Sequence, residues 1–344
     1  MLRIRIFFAR WSRFEYWPLV LFYLPLLPAY LYYAIRSRSP VYFTAVNPGI
    51  EHGGFFGEHK ERILSNVDKR FLPATYFFPL VQRAKWVELL QNISNDHFPV
   101  VFKPNIGERG DEVRIFDSKD QLQSHISTVE FDFLIQRYIS FPIELGVLYH
   151  RSPGAQKGEV LSITRKGFMT VTGDGKRSVE ELMMSRRRYL LQVPRFRVEK
   201  PELLKIIPQK GEELMLDNIG NHCLGTEFID ANDWINDKVN SVFDQVTSTF
   251  DGFFYGRIDL KVPSREDLEA GENIRIFEIN GVSSEPGHIY DRRYSVFRAY
   301  SELYRTWGII FSVAVANRKL GIPYSSVSEL IRISWRHFFV SKRM

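Results

Sequence analysis

Cysteine is all but absent: the 344 residues hold one, Cys223. No intrachain disulfide and no cysteine-held metal cluster can form, which fits a reducing compartment. Lysine is absent from the first 38 residues, which carry Arg3, Arg5, Arg10, Arg13, Arg36 and Arg38 against a single acid, Glu15. That stretch accounts for most of the formal net charge of +6, and the remaining chain is nearly neutral. A nucleic-acid-binding domain carries a basic face on its folded body. None is evident here, so nucleic acid is not an expected partner. Internal repeats and low-complexity tracts are missing too. The lone cysteine and scattered serines have no base partner in the pattern, so covalent catalysis by a protein nucleophile is not indicated. What is present is 44% apolar and 15% aromatic residues, enough for a sizeable packed core. The length allows one large domain or two modest ones.

The basic N-terminal stretch encloses a run of 19 residues without a charge, Trp17 to Ile35. As a straight helix it would reach roughly 28 Å, close to the ~30 Å of a bilayer's hydrocarbon core. Trp17, Tyr30, Tyr32 and Tyr33 cluster towards its ends, as interfacial aromatics do. A secretory signal is not indicated, because no small-residue cleavage pattern follows. Pro25 and Pro28 lie inside, and each disturbs a straight helix by about 3 kcal/mol. A single span would put Arg3, Arg5, Arg10 and Arg13 on the outer side, against the positive-inside tendency. A broken helix that dips in and returns keeps both basic flanks on one side. The sequence therefore predicts a monotopic or re-entrant anchor on the cytoplasmic face, contacting membrane lipids through residues 1–38. A single span and a buried helical hairpin are the alternatives. Near the other end, Val327, Leu330, Ile331, Trp335 and Phe338 follow helical spacing among basic residues. That stripe suits a membrane surface or packing on the domain.

Between these ends the pattern is α+β, a strand-rich middle flanked by helices. The expected boundaries are a 1–40 anchoring segment, a 41–292 domain and a 293–344 helical segment. Glycines 49, 53, 54 and 57 mark a loop, with a helix beginning near Glu58. Leu80–Ser94 reads as an amphipathic helix and FPVVFKP as a buried strand. Phe133–Tyr138 and Ile143–Tyr149 read as strands, and Val160–Thr172 as strand, turn, strand with Lys166-Gly167 at the turn. Ser178 and Glu181 suit a capping box opening a helix over Val179–Arg188, and Trp234–Thr249 reads as another helix. Phe253–Val262 and Ile274–Ile279 read as paired strands joined by a polar excursion.

On that last pair, Asp259 lies on one strand and Glu278 and Asn280 on the other. Residues two apart share a strand face, so two carboxylates and an amide oxygen can converge. Such hard donors suit magnesium, which takes further ligands from water and phosphates. Arg257 shares the face of Asp259 and is placed to offset charge on a transferring group.

These residues resemble the ATP-grasp superfamily, in particular D-alanine–D-alanine ligase and the ATP-grasp parts of cyanophycin synthetase and bifunctional glutathione synthase. Tyr255-Gly-Arg-Ile-Asp259 resembles the family's metal strand, and Glu278-Ile-Asn280 followed by Pro286-Gly287 its E-x-N…P-G element. The resemblance implies two α+β lobes gripping ATP, with magnesium, or manganese in its place, on Asp259, Glu278 and Asn280. It implies that Arg257 faces the acyl-transfer intermediate. Lys103 would contact the α-phosphate, under a loop running from Gly107 to Gly110 whose backbone N–H groups cover the phosphates. Lys60, 43 residues earlier, stands where the family has its first ATP lysine, though a surface lysine gives the same pattern. The stretch Leu134–Ile139 resembles the adenine hinge, with backbone groups near Tyr138 and Ile139 reading the adenine edge. Gln136 replaces the usual glutamate and still offers an acceptor oxygen. Glu144 matches the ribose-binding acid, and Arg165 or Lys166 the second-strand cation. Thr172–Val179 resembles the GDGKST-type stretch of the cyanophycin and glutathione enzymes.

The resemblance covers about Glu58 to Tyr290. It departs in two places: only some 20 residues separate the hydrophobic segment from Lys60, where relatives carry a complete leading domain, and the Asn280–Pro286 segment is longer than in D-alanine–D-alanine ligase. Both lie on the acceptor side, so no substrate pair carries over. The implied function is ATP- and magnesium-dependent ligation of a carboxylate to an amine through an acyl phosphate, with a lipid or lipid-linked substrate suggested by the anchor. A phosphotransferase on the same fold and a non-catalytic nucleotide-binding membrane adaptor are the alternatives.

Overall fold

The structure, a computed structural model, describes residues 2–107, 112–217, 220 and 225–335. Among the described residues, eleven strands form three antiparallel sheets. The first has the order β1 (Thr75–Phe78), β4 (Phe133–Arg137), β2 (Val100–Pro104), β3 (Arg114–Phe116). Helices Trp86–Gln91 and Lys119–Ile126 cover it, burying Trp86, Leu90, Leu122 and Ile126 against Phe78, Phe102 and Phe133. The second sheet has the order β11 (Arg275–Asn280), β10 (Tyr255–Val262), β5 (Ile143–His150), β6 (Glu159–Gly167), β9 (Glu227–Asp230). The third pairs β7 (Met169–Thr172) with β8 (Glu213–Asp217).

The second sheet shows how alternation divides labour. Along β10, Ile258, Leu260 and Val262 face a core shared with Leu145 and Val147 of β5. The helix Asp237–Val246 covers that core with Val239, Val242, Phe243 and Val246. Asn236 starts this helix by accepting from the Val239 N–H, the ordinary N-cap device. Residues of the opposite parity, Arg257, Asp259 and Lys261, therefore face the other side.

Several expectations need correction. Lys166-Gly167 is not a turn, because β6 stays in the five-stranded sheet while β7 leaves to pair with β8. The helix expected over Leu80–Ser94 is a 3-10 stretch, Leu80–Lys85, kinked at Gln82 and followed by Trp86–Gln91. The Trp234–Thr249 helix begins at Asp237, and the polar excursion holds a helix, Arg265–Ala270, capped by Ser264. The capping box at Ser178 and Glu181 is present, on a helix that ends at Ser185.

The N-terminal apolar segment also differs from the broken helix expected. It stays helical from Leu19 to Ser37. Pro25 and Pro28 each sit in the first turn of a new helical piece, Leu24–Leu26 and Leu27–Ser37, where a missing N–H costs little. It runs alongside Val296–Lys319: Tyr300 and Tyr304 donate their hydroxyls to the Phe22 and Pro25 carbonyls, and Tyr33 stacks on Phe311 at 4.6 Å. Phe22 and Leu26 are buried in this contact, while Val20 is 81% and Ile35 75% exposed. The C-terminal amphipathic stripe is helical over Val327–Trp335; Phe338 lies outside the described residues.

Candidate functional site

β4 belongs to the first sheet and β5 to the second, so Tyr138–Pro142 connects the two. Between the sheets lies a cavity of about 1580 Å³. Its walls include Lys60, Lys103, Gly107, Gln136, Tyr138, Ile139, Glu144, Lys166, Arg257, Asp259, Glu278 and Asn280. Apart from Arg165 and the Thr172–Val179 stretch, the described residues singled out for nucleotide and metal thus face one space. Gly110 lies outside the described residues, as does Cys223. Arg165 does not reach the cavity: it is exposed on the other side of β6, so Lys166 is the cation facing in.

Register explains the convergence. Asp259 sits opposite Glu278, and Arg257 opposite Asn280. On the other flank Asp259 sits opposite Gly146, and Lys261 opposite Glu144. Asp259 is fully buried. Its Oδ2 accepts from Arg257 Nε at 3.0 Å and Asn280 Nδ2 at 3.1 Å. Its Oδ1 lies 3.1 Å from Lys166 Nζ, off the hydrogen-bonding direction. Burial alone would raise the Asp259 pKa; Arg257 and Lys166 outweigh it and hold the carboxyl below its usual range. Lys166 also lies 3.0 Å from Glu144, whose other oxygen is 3.6 Å from Lys261. Burial works against the charge on Lys166, but Asp259 and Glu144 more than restore it.

The other lobe adds cations. Lys103, on β2, is buried and donates to the Phe277 carbonyl at 2.6 Å. Desolvation, with help from Lys60, pushes its pKa down to about 7 against the pull of Glu278. Lys60 opens the helix Lys60–Ser65 and donates to the Gly107 carbonyl. Gln136, on β4, gives its amide nitrogen to Thr75 Oγ1 at 3.0 Å, leaving its oxygen to the cavity.

Three residues that the motifs did not single out belong to this space. Lys261 donates to the Ile139 carbonyl at 3.2 Å and lies over the Tyr138 ring. The same alternation that groups Arg257 and Asp259 includes it. At Gly146 an added Cβ would lie 3.1 Å from Asp259 Oδ1 and 3.2 Å from Arg257 Cδ, so only glycine leaves both side chains their places. Glu285 follows β11 and accepts from the Tyr290 hydroxyl at 2.6 Å. Desolvation lifts its pKa to about 6, the tyrosine hydrogen bond opposing.

Among the described residues, no three histidine, cysteine or carboxylate side chains converge to hold a metal unaided. Asp259, Glu278 and the Asn280 amide oxygen would need a ligand's phosphates to complete a shell, which is how magnesium is ordinarily held. Lys60, Lys103, Lys166, Lys261 and Arg257 surround those acids. The donor set fits a metal-bound polyphosphate.

No family model matches the chain, and no curated protein sequence does. Among solved structures it is similar to a bifunctional glutathione synthetase from Pasteurella multocida, at 16% identity and TM-score 0.38 over 72% of this chain and 35% of that one. It is similar to D-alanine–D-alanine ligase from Bacillus anthracis, at 14% identity and TM-score 0.43 over 76% of this chain and 69% of that one. The same ligase complexed with ATP matches at 16% identity and TM-score 0.43, over 76% and 66%. The chain therefore spans about a third of the glutathione synthetase.

Proposed function

We propose that the chain is an ATP-grasp enzyme that binds magnesium–ATP between its two larger sheets and joins a carboxylate to an amine. The observation that carries this is the register of β10 against β11. It sets Arg257, Asp259, Glu278 and Asn280 side by side on a face ringed by Lys60, Lys103, Lys166 and Lys261. Asp259, Glu278 and Asn280 would hold magnesium, which screens phosphate charge and orients the transferring group. Lys103, Lys166 and Lys60 would bind the phosphates, with the Gly107 loop above them. Gln136 and the Tyr138–Ile139 backbone would read adenine, and Glu144 the ribose hydroxyls once a nucleotide draws Lys166 away. The carboxylate would take the terminal phosphoryl group, releasing ADP, and the amine would then displace phosphate from the acyl phosphate, giving the amide with loss of a proton. Arg257 would offset the charge that develops on the acyl oxygen. Positioning supplies much of the acceleration.

The N-terminal segment supports a lipid or lipid-linked substrate, met at the cytoplasmic face. One side of the helix Leu19–Ser37 packs on the domain, and the other presents Leu19, Val20, Leu24, Leu27, Leu31 and Ile35 outward. That arrangement suits a helix lying in the interface.

The test is ADP release from full-length protein against pooled carboxylates, amines and extracted lipids, with products identified by mass. Amide formation matched by ADP is expected. A stable phosphorylated product without amide would instead make the chain a phosphotransferase, and tight nucleotide binding without any turnover a non-catalytic adaptor.

A further inference from the structure

The cavity is larger than a nucleotide requires: single-ligand pockets run to about 300–1,000 Å³, against about 1580 Å³ here. Its second half changes character. It includes Phe14, Phe22, Tyr42, Phe43, Trp307 and Ile310, from two apolar clusters that meet at Trp307. The first two come from the N-terminal segment.

Glu285 stands where the two halves meet. The backbone carries it there: Val282 and Ser283 donate to the Gly53 and Gly54 carbonyls, folding the loop onto the glycine-rich segment. Ser284 Oγ then accepts from the Arg257 N–H at 3.3 Å and donates to the Asn280 carbonyl at 2.9 Å. The next residue, Glu285, lines the same cavity as Arg257 and Asp259. Its partner Tyr290 looks the other way, its ring 6.2 Å from Phe14 and 6.3 Å from Phe22.

The other acids facing this cavity that form ion pairs are Glu15 with Arg188, Glu144 with Lys166, Asp217 with Arg195, and Asp259 with Arg257. Glu285 faces the cavity with one neutral hydroxyl and no cation within ion-pair distance among the described residues. A carboxylate removed from water without a cation is costly, and its raised pKa reflects that.

We propose that Glu285 and the aromatic chamber behind Tyr290 form the acceptor subsite, and that the acceptor is an amphiphilic primary amine. Its ammonium pairs with Glu285 and its apolar chain lies along Phe14, Phe22 and Trp307. This rests on the ligase reading above and deepens it: the amine, rather than the carboxylate, is the lipid-like substrate. Bound there, the nitrogen faces the cavity that Arg257 also lines, where an activated acyl group would be presented. Magnesium and phosphate would be held at Asp259 and Glu278 rather than at Glu285, so the acceptor would not compete with nucleotide.

The test is calorimetric binding of octylamine, octanoate and ethylamine to full-length protein in phosphatidylcholine nanodiscs, with empty discs subtracted. ATP binding is measured on the same samples. Octylamine is expected to bind saturably and about 10-fold or more tighter than either octanoate or ethylamine, as a buried charge pair plus chain burial requires. Glu285→Gln should weaken octylamine about 10-fold and leave ATP binding unchanged, which also shows that the variant is folded. If that variant does not fold, Tyr290→Phe serves, with a smaller loss of octylamine affinity expected. Octanoate binding as tightly as octylamine, or octylamine binding unchanged in the substituted protein, overturns the proposal. Selective amine binding in protein that binds no ATP would overturn the ligase reading instead.

Discussion

Lys166 Nζ lies 3.1 Å from Asp259 Oδ1 and 3.0 Å from Glu144 Oε1, so one ammonium bridges the two acids to which the motifs assign metal and ribose. Bound magnesium–ATP would take over Asp259 and draw Lys166 towards phosphate. Asp259→Asn and Glu278→Gln should therefore behave differently. Asp259 is buried between Arg257 and Lys166, and neutralising it takes the ion-pair partner from Arg257 and leaves Lys166 with Glu144 alone. A loss of about 3–5 kcal/mol in stability is expected, along with lost turnover. Glu278 has no ion-pair partner among the described residues, and Glu278→Gln should melt like wild type while losing magnesium-dependent turnover. Thermal unfolding beside ADP release checks the contrast.

Lys103 should be unusually reactive. With its pKa near 7 a large share of the amine is neutral at pH 7.5, whereas ordinary lysines, near 10.4, are charged. Trinitrophenylation at that pH should label Lys103 ahead of other lysines, and the labelling should fall as pH drops below 7. Magnesium–ATP should suppress it, because phosphate both covers the amine and restores its charge. Peptide mapping reads the outcome.

Gly146→Ala tests how closely the site is fitted. The added methyl meets Asp259 Oδ1 at 3.1 Å and Arg257 Cδ at 3.2 Å, so the two side chains must shift by a few tenths of an ångström. Stability should change by about 1 kcal/mol or less, while kcat should fall about 10-fold or more, since small misplacements are amplified at a reacting centre.

The two faces of the helix Leu19–Ser37 make opposite predictions. Val20→Asp with Ile35→Asp on the exposed side should release the protein from vesicles in a flotation assay with little change in melting. Leu26→Ala, at a buried position, should cost about 2–5 kcal/mol and leave flotation intact.

Much of this site was legible because strands have a period of two. Arg257, Asp259, Glu278 and Asn280 could be placed on one face from spacing alone, and the same count reaches Lys261. Lys166-Gly167 between apolar runs reads as a turn, although the resemblance also offers Lys166 as a phosphate-facing cation; which sheet β7 joins depends on β8, some forty residues away. The prolines misled for a related reason. Read one by one they break a helix, but spaced three apart they each open a new turn. Glu285 carries no local pattern at all, and its place is set by backbone hydrogen bonds to Gly53 and Gly54.

The most direct test of the nucleotide site is equilibrium binding of ATP, with and without magnesium, to wild type, Glu278→Gln and Lys103→Met. The account predicts magnesium-dependent binding to wild type, loss of the magnesium dependence in Glu278→Gln, and affinity about 10-fold or more weaker in Lys103→Met, the loss of a charge-assisted hydrogen bond. Wild-type protein that binds no ATP at millimolar concentration, with or without magnesium, would contradict it.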